Sequence, residues 1–296
     1  MKKLIFILSL LIGTSAFAAD DSVLRWCGEV RAATKKLKWD LEPCNGLEWT
    51  FSGTSVHGRP LVYEEFGDPR AQNTTVIFAM VHGDEITPLY LGIRMAHWMK
   101  EHEKEFPNTH VIVAPMVNPD GFFNRPRHRT NAHGVDINRN FNTSDWKEMA
   151  LKAWKGKFRS DPRRFPGSTA RSEPETVFQE ELIRKFRPTK ILSIHAPLNF
   201  MDYDGPTYLS LARFPGQYVR ECLKLRNRLK ATSSGFFPGS LGNFAGQEMG
   251  IPTLTLELPT ADALQAQSYW NQFSKGITVT IQYVVPPTAT GPVTQQ

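Results

Sequence analysis

Short apolar runs alternate with helically spaced apolar positions along most of this chain. Val76–Val81, Thr109–Met116, Lys190–His195 and Thr253–Leu258 are mostly apolar stretches of strand length. Such runs, bounded by turn residues, read as buried strands. Between and after them, Thr87–Glu103, Ser172–Phe186, Gln217–Lys230 and Leu264–Val284 read as helices, with Ser172 and Glu175 as a capping pair. Val23–Trp39 is a further helix ending in a Lys-rich turn, and Glu48–Gly67 is a hairpin around Ser55–Arg59. Strands alternating with helices predict an α/β fold: a mixed, mostly parallel twisted sheet with helices on both faces.

The two ends stand apart from this pattern. Lys2 and Lys3 precede an apolar stretch, Leu4–Ile12, broken only by Ser9, and Ala16-Phe17-Ala18 is a small-x-small cleavage signature. Together these make an export signal, with cleavage before Ala19. The stretch is too short for a bilayer span, and no later run is apolar enough for one. The tail after Pro286 is rich in Pro, Thr and Gly, a composition that stays disordered. The expected organisation is a signal peptide over 1–18, an N-terminal helical segment over 19–46, one large domain over 47–285 and a disordered tail over 286–296. The expected location is periplasmic or secreted.

Charge adds little. The formal net charge is +6, and +4 once Lys2 and Lys3 are set aside. This mild excess suits an anionic polymer such as cell wall, or an ordinary basic protein. Nucleic acid is not expected as a partner of an exported chain without a binding motif. The cysteines are Cys27, Cys44 and Cys222, with no C-x-x-C pair. Export permits a disulfide, and Cys27 with Cys44 would pin the N-terminal helix to the segment after it; Cys222 suits plain packing.

The candidate chemistry sits just after strand ends, where open α/β sheets place their sites. His82-Gly83-Asp84-Glu85 follows the first strand, and a His and a carboxylate three positions apart in a turn can converge on one metal ion. His195 closes another strand. Two His and one Glu with an open fourth position form the ligand set of a catalytic Zn2+, one per chain; structural zinc is more often closed by four protein ligands. After the turn Asn118-Pro119-Asp120-Gly121 comes Arg129–Phe141, which holds Arg129, Asn138 and Arg139. Guanidinium forks match carboxylates and an amide adds a donor, so this string suits a carboxylate pocket. Glu257 is a lone carboxylate on an apolar strand, costly to bury unless paired or functional. Beside a zinc-activated water it would be a general base, whereas on an alternating strand it would face solvent. Ser144–Phe165 is polar and basic, and reads as either a rim for an anionic substrate or a solvated surface excursion.

In this order, H-x-x-E at 82–85, N-P-D-G at 118–121, R-x-N-x-x-G-V-D-x-N-R-N-F at 129–141, a strand ending in His195 and T-x-E at 255–257 resemble the zinc carboxypeptidase family. The resemblance runs from about Gly53 to the last helix. It implies that family's fold, with His82, Glu85 and His195 as zinc ligands and Glu257 as catalytic base. It further implies that Arg129, Asn138 and Arg139 bind the substrate carboxylate and polarise the scissile carbonyl, and that Asp136 orients the first His ligand. Within the family, Ser172–Thr176, His195–Asn199, Asp202–Pro206, Pro238–Asn243 and Glu257–Pro259 look most like bacterial murein peptide amidases. Those enzymes cut the γ-D-glutamyl–meso-diaminopimelate bond, which implies peptidoglycan stem peptides as partners. Asn199 and Asp202 offer contacts to the second amino-acid head of diaminopimelate. Digestive members carry a mobile tyrosine ahead of the catalytic Glu. Ser233–Phe237 offers none, so no tyrosine role follows; Phe236 and Phe237 read as core, with lining of the pocket as the alternative. The rival readings are a general carboxypeptidase for L-peptides, an acylamino-acid deacylase and a non-catalytic wall-binding protein.

Overall fold

The strands are β1 (Thr50–Thr54), β2 (Pro60–Gly67), β3 (Asn73–Ala79), β4 (Thr109–Ala114), β5 (Lys190–His195), β6 (Phe200–Asp204) and β7 (Thr253–Glu257). They form one seven-stranded sheet in the order β1-β2-β4-β3-β5-β7-β6. The computed structural model describes residues 8–206, 209 and 237–286, with side chains from Asp20 onward. The expected helix Gln217–Lys230 with Cys222, the Ser233–Phe236 stretch and the tail from Pro287 lie outside the described residues.

Every residue of β3, β4 and β5 is buried. This is the signature of strands covered on both faces, and it explains why their sequences run apolar instead of alternating. β4, β3, β5 and β7 are parallel, while β1, β2 and β6 add antiparallel edges on the two sides. The predicted mixed α/β sheet is therefore present, with a parallel centre.

The pleat divides the core in two. Ile77 and Ala79 of β3 pack with α1 (Leu8–Lys36), α2 (Ile86–His102) and the C-terminal helix through Val30, Leu89, Phe273 and Ile277. Val76 and Phe78 face the other way, onto Phe178, Leu182 and Ile183 of the helix Pro174–Phe186. Two further α-helices lie among the described residues, α3 (Pro119–Phe123) and α4 (Trp146–Lys155); Pro174–Phe186 is α5 and the C-terminal helix Ala266–Gln282 is α6. Among the described residues no helix is long and apolar enough to cross a membrane. Cys27 and Cys44 form a disulfide with a Cα–Cα distance of 5.9 Å, tying α1 to the segment before β1.

Three features depart from the sequence reading. The Ser172–Glu175 capping pair does not form. α5 begins at Pro174, and its N-cap Glu173 makes no side-chain cap bond. Glu175 instead accepts from Asn131 Nδ2 at 2.9 Å and from the Val56 amide at 3.3 Å. A buried amide claims the carboxylate the box would have used. The edge strand β6 was not anticipated; it pairs antiparallel with β7, and its half-buried residues Phe200, Asp202 and Asp204 share one face. Finally, the polar Ser144–Phe165 stretch contains α4 and a 3-10 turn at Pro162–Arg164.

Candidate metal centre and substrate cavity

Three parallel strands deliver their last residues to one edge of the sheet. β3 ends at Ala79, and Met80 takes a left-handed conformation with φ 50°. Its carbonyl is held by the Asn118 amide at 3.0 Å, so the chain turns sharply into His82–Glu85. On β5 and β7, His195 and Glu257 are register partners on the final rung. Gly83 allows the remaining junction. A Cβ there would lie 2.2 Å from the backbone of Gly121 and Phe122, so the H-G-D-E turn sits directly on the N-P-D-G turn.

His82, Glu85 and His195 offer ligand atoms that all lie within 4.8 Å of one another. Each is buried. His82 Nδ1 is 2.7 Å from Glu85 Oε1, His195 Nδ1 is 3.0 Å from Glu85 Oε2, and the two Nδ1 atoms are 3.2 Å apart. Each ring has its other nitrogen engaged: His82 Nε2 is 3.2 Å from Asp136 Oδ1, and His195 Nε2 is 2.9 Å from Ser193 Oγ. Inner nitrogens converging beside a carboxylate, with outer nitrogens held by oxygens, is the donor set a divalent zinc ion requires. The residues therefore fit the metal. Asp136 is fully buried; burial opposes its charge, yet Arg129 and His82 hold it well below the ordinary carboxylate range.

Beside this cluster lies a cavity of about 510 Å³. Arg129 reaches it after donating from Nε to Asp136 Oδ2 at 3.0 Å, with NH1 3.2 Å from His82 Nδ1. Asn138 accepts from the Leu241 amide at 2.8 Å through Oδ1, so its NH2 is what remains for a ligand. Arg139 is buried, and burial pushes its guanidinium down to about 10. Its Nε has no hydrogen-bond partner among the described residues. Glu257 receives the Leu198 amide at 3.4 Å, and burial raises its carboxyl above the usual range.

The cavity also has an acidic part, next to Asn138 across the Leu241–Gly242 link. Asp202 and Asp204 line it together with Phe200. Burial and then the neighbouring Asp202 push Asp204 up to about 6. Room for that carboxylate is made by the π-helical turn Gly242–Glu248: a Cβ on Gly242 would lie 2.0 Å from Asp204 Oδ2, and one on Gly246 2.6 Å from its Cβ.

All eight residues singled out from the sequence gather here: His82, Glu85, Arg129, Asp136, Asn138, Arg139, His195 and Glu257. Asp202 also lines the cavity, whereas Asn199 does not. Asp204 was missed, although its i,i+2 spacing from Asp202 on a strand is the signal that would have found it. Of the two readings of Phe237, core and pocket lining, the structure shows the second: it lines the cavity and lies 4.4 Å from the Arg139 guanidinium.

The zinc carboxypeptidase family model matches residues 47–216. Of the site residues, Phe237, Leu241, the π turn and Glu257 lie outside that range; the position of Glu257 follows from its pairing with His195. Murein peptide amidase A of Escherichia coli (strain K12) is 29% identical over 218 residues, covering 72% of this chain and 82% of that protein. Murein peptide amidase A of Vibrio campbellii is 31% identical over 216 residues, covering 72% and 80%. In fold, the chain is similar to murein-tripeptide amidase MpaA from Escherichia coli O157, with a TM-score of 0.57, 21% identity and coverage of 80% and 93%. It is also similar to carboxypeptidase A from Helicoverpa armigera, with a TM-score of 0.62, 19% identity and coverage of 86% and 71%.

Proposed function

Because this chain belongs to the zinc carboxypeptidase family, we propose that it is an exported zinc peptidase hydrolysing the γ-D-glutamyl–meso-diaminopimelate amide bond of peptidoglycan stem peptides. The observation that carries the substrate assignment is the double polarity of the cavity. Its lining offers both the Asn138 and Arg139 donors and the carboxylates of Asp202 and Asp204. A leaving residue that suits both has a carboxylate near the scissile bond and an ammonium at the far end of its side chain, as diaminopimelate does. The names of the relatives favour the same substrate class.

In this reading His82, Glu85 and His195 hold the zinc. Zinc held there would supply Lewis acidity to the attacking water and to the scissile carbonyl. Asn138 and Arg139 grip the carboxylate of the leaving residue and fix the amide beside Glu257. Glu257 takes a proton from the attacking water as the new C–O bond forms. Arg129, held in place by Asp136, donates to the oxygen on which negative charge develops. Glu257 then returns the proton to the amine nitrogen as the C–N bond breaks. Its raised proton affinity suits both transfers.

Export is part of the proposal. It rests on the signal at residues 1–18 and is supported by the Cys27–Cys44 disulfide, which an oxidising compartment maintains. The test is mass spectrometry of muropeptides from sacculi incubated with zinc-loaded protein, with Glu257→Gln as control. Loss of diaminopimelate from tripeptide stems, absent in the control, is expected. Unchanged muropeptides alongside hydrolysis of plain L-peptides would replace this reading with a general carboxypeptidase.

A further inference from the structure

We propose that the Ser144–Phe165 excursion is a cationic platform that holds the anionic wall polymer alongside the cavity, so that the intact polymer is bound by more than the stem being cut. The proposal rests on the murein reading for its choice of polymer. The excursion contains seven basic residues, Lys147, Lys152, Lys155, Lys157, Arg159, Arg163 and Arg164, against three acidic ones. Of the seven, Arg163 and Arg164 form ion pairs, with Asp84 and Asp161; the other five have none among the described residues.

The excursion is fastened to the centre at three points. Trp146 Nε1 donates to the Arg139 carbonyl at 2.8 Å, Arg163 pairs with Asp84 of the H-G-D-E turn at 2.8 Å, and the Asp136 amide donates to the Phe165 carbonyl at 2.7 Å. A stack of cations and rings joins the two regions. Arg139 lies 4.4 Å and Lys157 4.3 Å from the Phe237 ring; Phe237 stacks on Phe158 at 5.6 Å, and Arg164 lies 5.0 Å from Phe158. Positive charge therefore runs from Arg139 at the cavity to Lys157 and Arg164, which follow α4 and its exposed lysines in the chain.

The chemistry of that surface selects a soluble polyanion over a bilayer. A basic helix that enters lipid turns Trp, Phe or Leu outward. Here Trp146 is buried, and Trp154 donates to the Asp161 carbonyl at 2.7 Å and packs 5.0 Å from Phe165, which leaves Met149 as the exposed large apolar side chain of the stretch. Stem peptides repeat along the wall polymer, and each brings carboxylates. A row of unpaired lysines beside the cavity would concentrate that polymer at the site, with an ionic-strength dependence that a single free peptide would not show.

The test compares K147E/K152E/K155E and K147R/K152R/K155R with the unsubstituted zinc enzyme. All three lysines are exposed and outside the cavity. Expected for the Glu variant is about a tenfold loss in release from intact sacculi at low salt, with hydrolysis of free tripeptide within about twofold of the parent; the Arg variant keeps the parent's rate on both. Equal rates of the Glu variant and parent on sacculi, or a parallel loss on the free tripeptide, would overturn the proposal. Sedimentation of the Glu257→Gln protein with sacculi separates the two readings: lysine-dependent, salt-sensitive sedimentation without any muropeptide cleavage by the parent would retain the platform and sink the catalytic assignment. Lysine-dependent binding to phosphatidylglycerol vesicles, with none to sacculi, would assign the surface to membranes instead.

Discussion

One methyl group at Gly83 would be enough to break the centre. The Cβ would have to displace backbone atoms of Gly121 and Phe122, not the end of a flexible side chain. Relief can come only by moving the turn that carries His82 and Glu85. Gly83→Ala is expected to fold yet lose zinc affinity by about tenfold or more, read by competition against a chromogenic chelator; unaltered affinity would refute the packing argument. Glu257→Gln makes the complementary prediction. Metal content by mass spectrometry should be unchanged while turnover falls about a thousandfold, within the range expected for loss of a general base. A zinc-loaded variant with near-normal turnover would remove Glu257 from the mechanism. At this scale most of the site was legible, because His82, His195 and Glu257 each break an apolar run or end one, Glu85 stands three positions after His82, and a polar group in such a place needs a reason. Asp204 and Phe237 were not, because their roles depend on elements distant in sequence: the glycines of the π turn for one, and Arg139 for the other.

At the scale of elements, register does the positioning. His195 and Glu257 meet because β5 and β7 pair in parallel through to their last residues. A one-residue slip would send one of the two to the opposite face. The apolar runs announced these strands, but β6 escaped notice because an edge strand with one half-buried face carries no continuous apolar signal. The failed capping pair at α5 has the same origin, since local spacing cannot reveal that Asn131 competes for Glu175. The start of β5 carries a testable burden. Lys190 is buried, its ammonium bonds to Asn73 Oδ1, and burial lowers it to about 7. The unfolded chain then holds a proton that the folded chain lacks, from about pH 7 up to the ordinary lysine value of about 10.4. Stability contributed at this position therefore rises with pH across that window. Lys190→Met should abolish this part of the slope. Thermal unfolding followed by circular dichroism from pH 7 to pH 10 would show it as a flatter profile than the parent's, and two parallel profiles would rule out the buried ammonium as the cause.

Across the whole molecule, the metal couples the centre to stability. The three ligand residues come from two strand ends, and they converge only when the sheet is assembled. Zinc held by them would bind the folded state in preference to the unfolded one and stabilise it by mass action. Chelation should lower the unfolding midpoint and added zinc should restore it, while Glu85→Gln should blunt both responses; a midpoint indifferent to chelator would mean that the ion is not held as inferred. The large-scale fold was the most legible part of all, since four apolar runs and the helices between them already fix a parallel centre. The excursion was read as basic, but sequence alone could not show that Trp146, Arg163 and Phe165 fasten it to the site.

The place of β6 in the sheet has one further consequence. Among the described residues its strand neighbour is β7, and β5 and β7 separate it from β3, which leads into the metal turn. Phe200 shares the rung of His195 and Glu257, but Asp202 and Asp204 pair with Thr255 and Thr253 and can be exchanged at the margin without touching it. In the proposed reading the acidic contacts to the far end of the leaving residue and the general base stand on separate strands, so lineages, or engineers, can revise the first while inheriting the second intact.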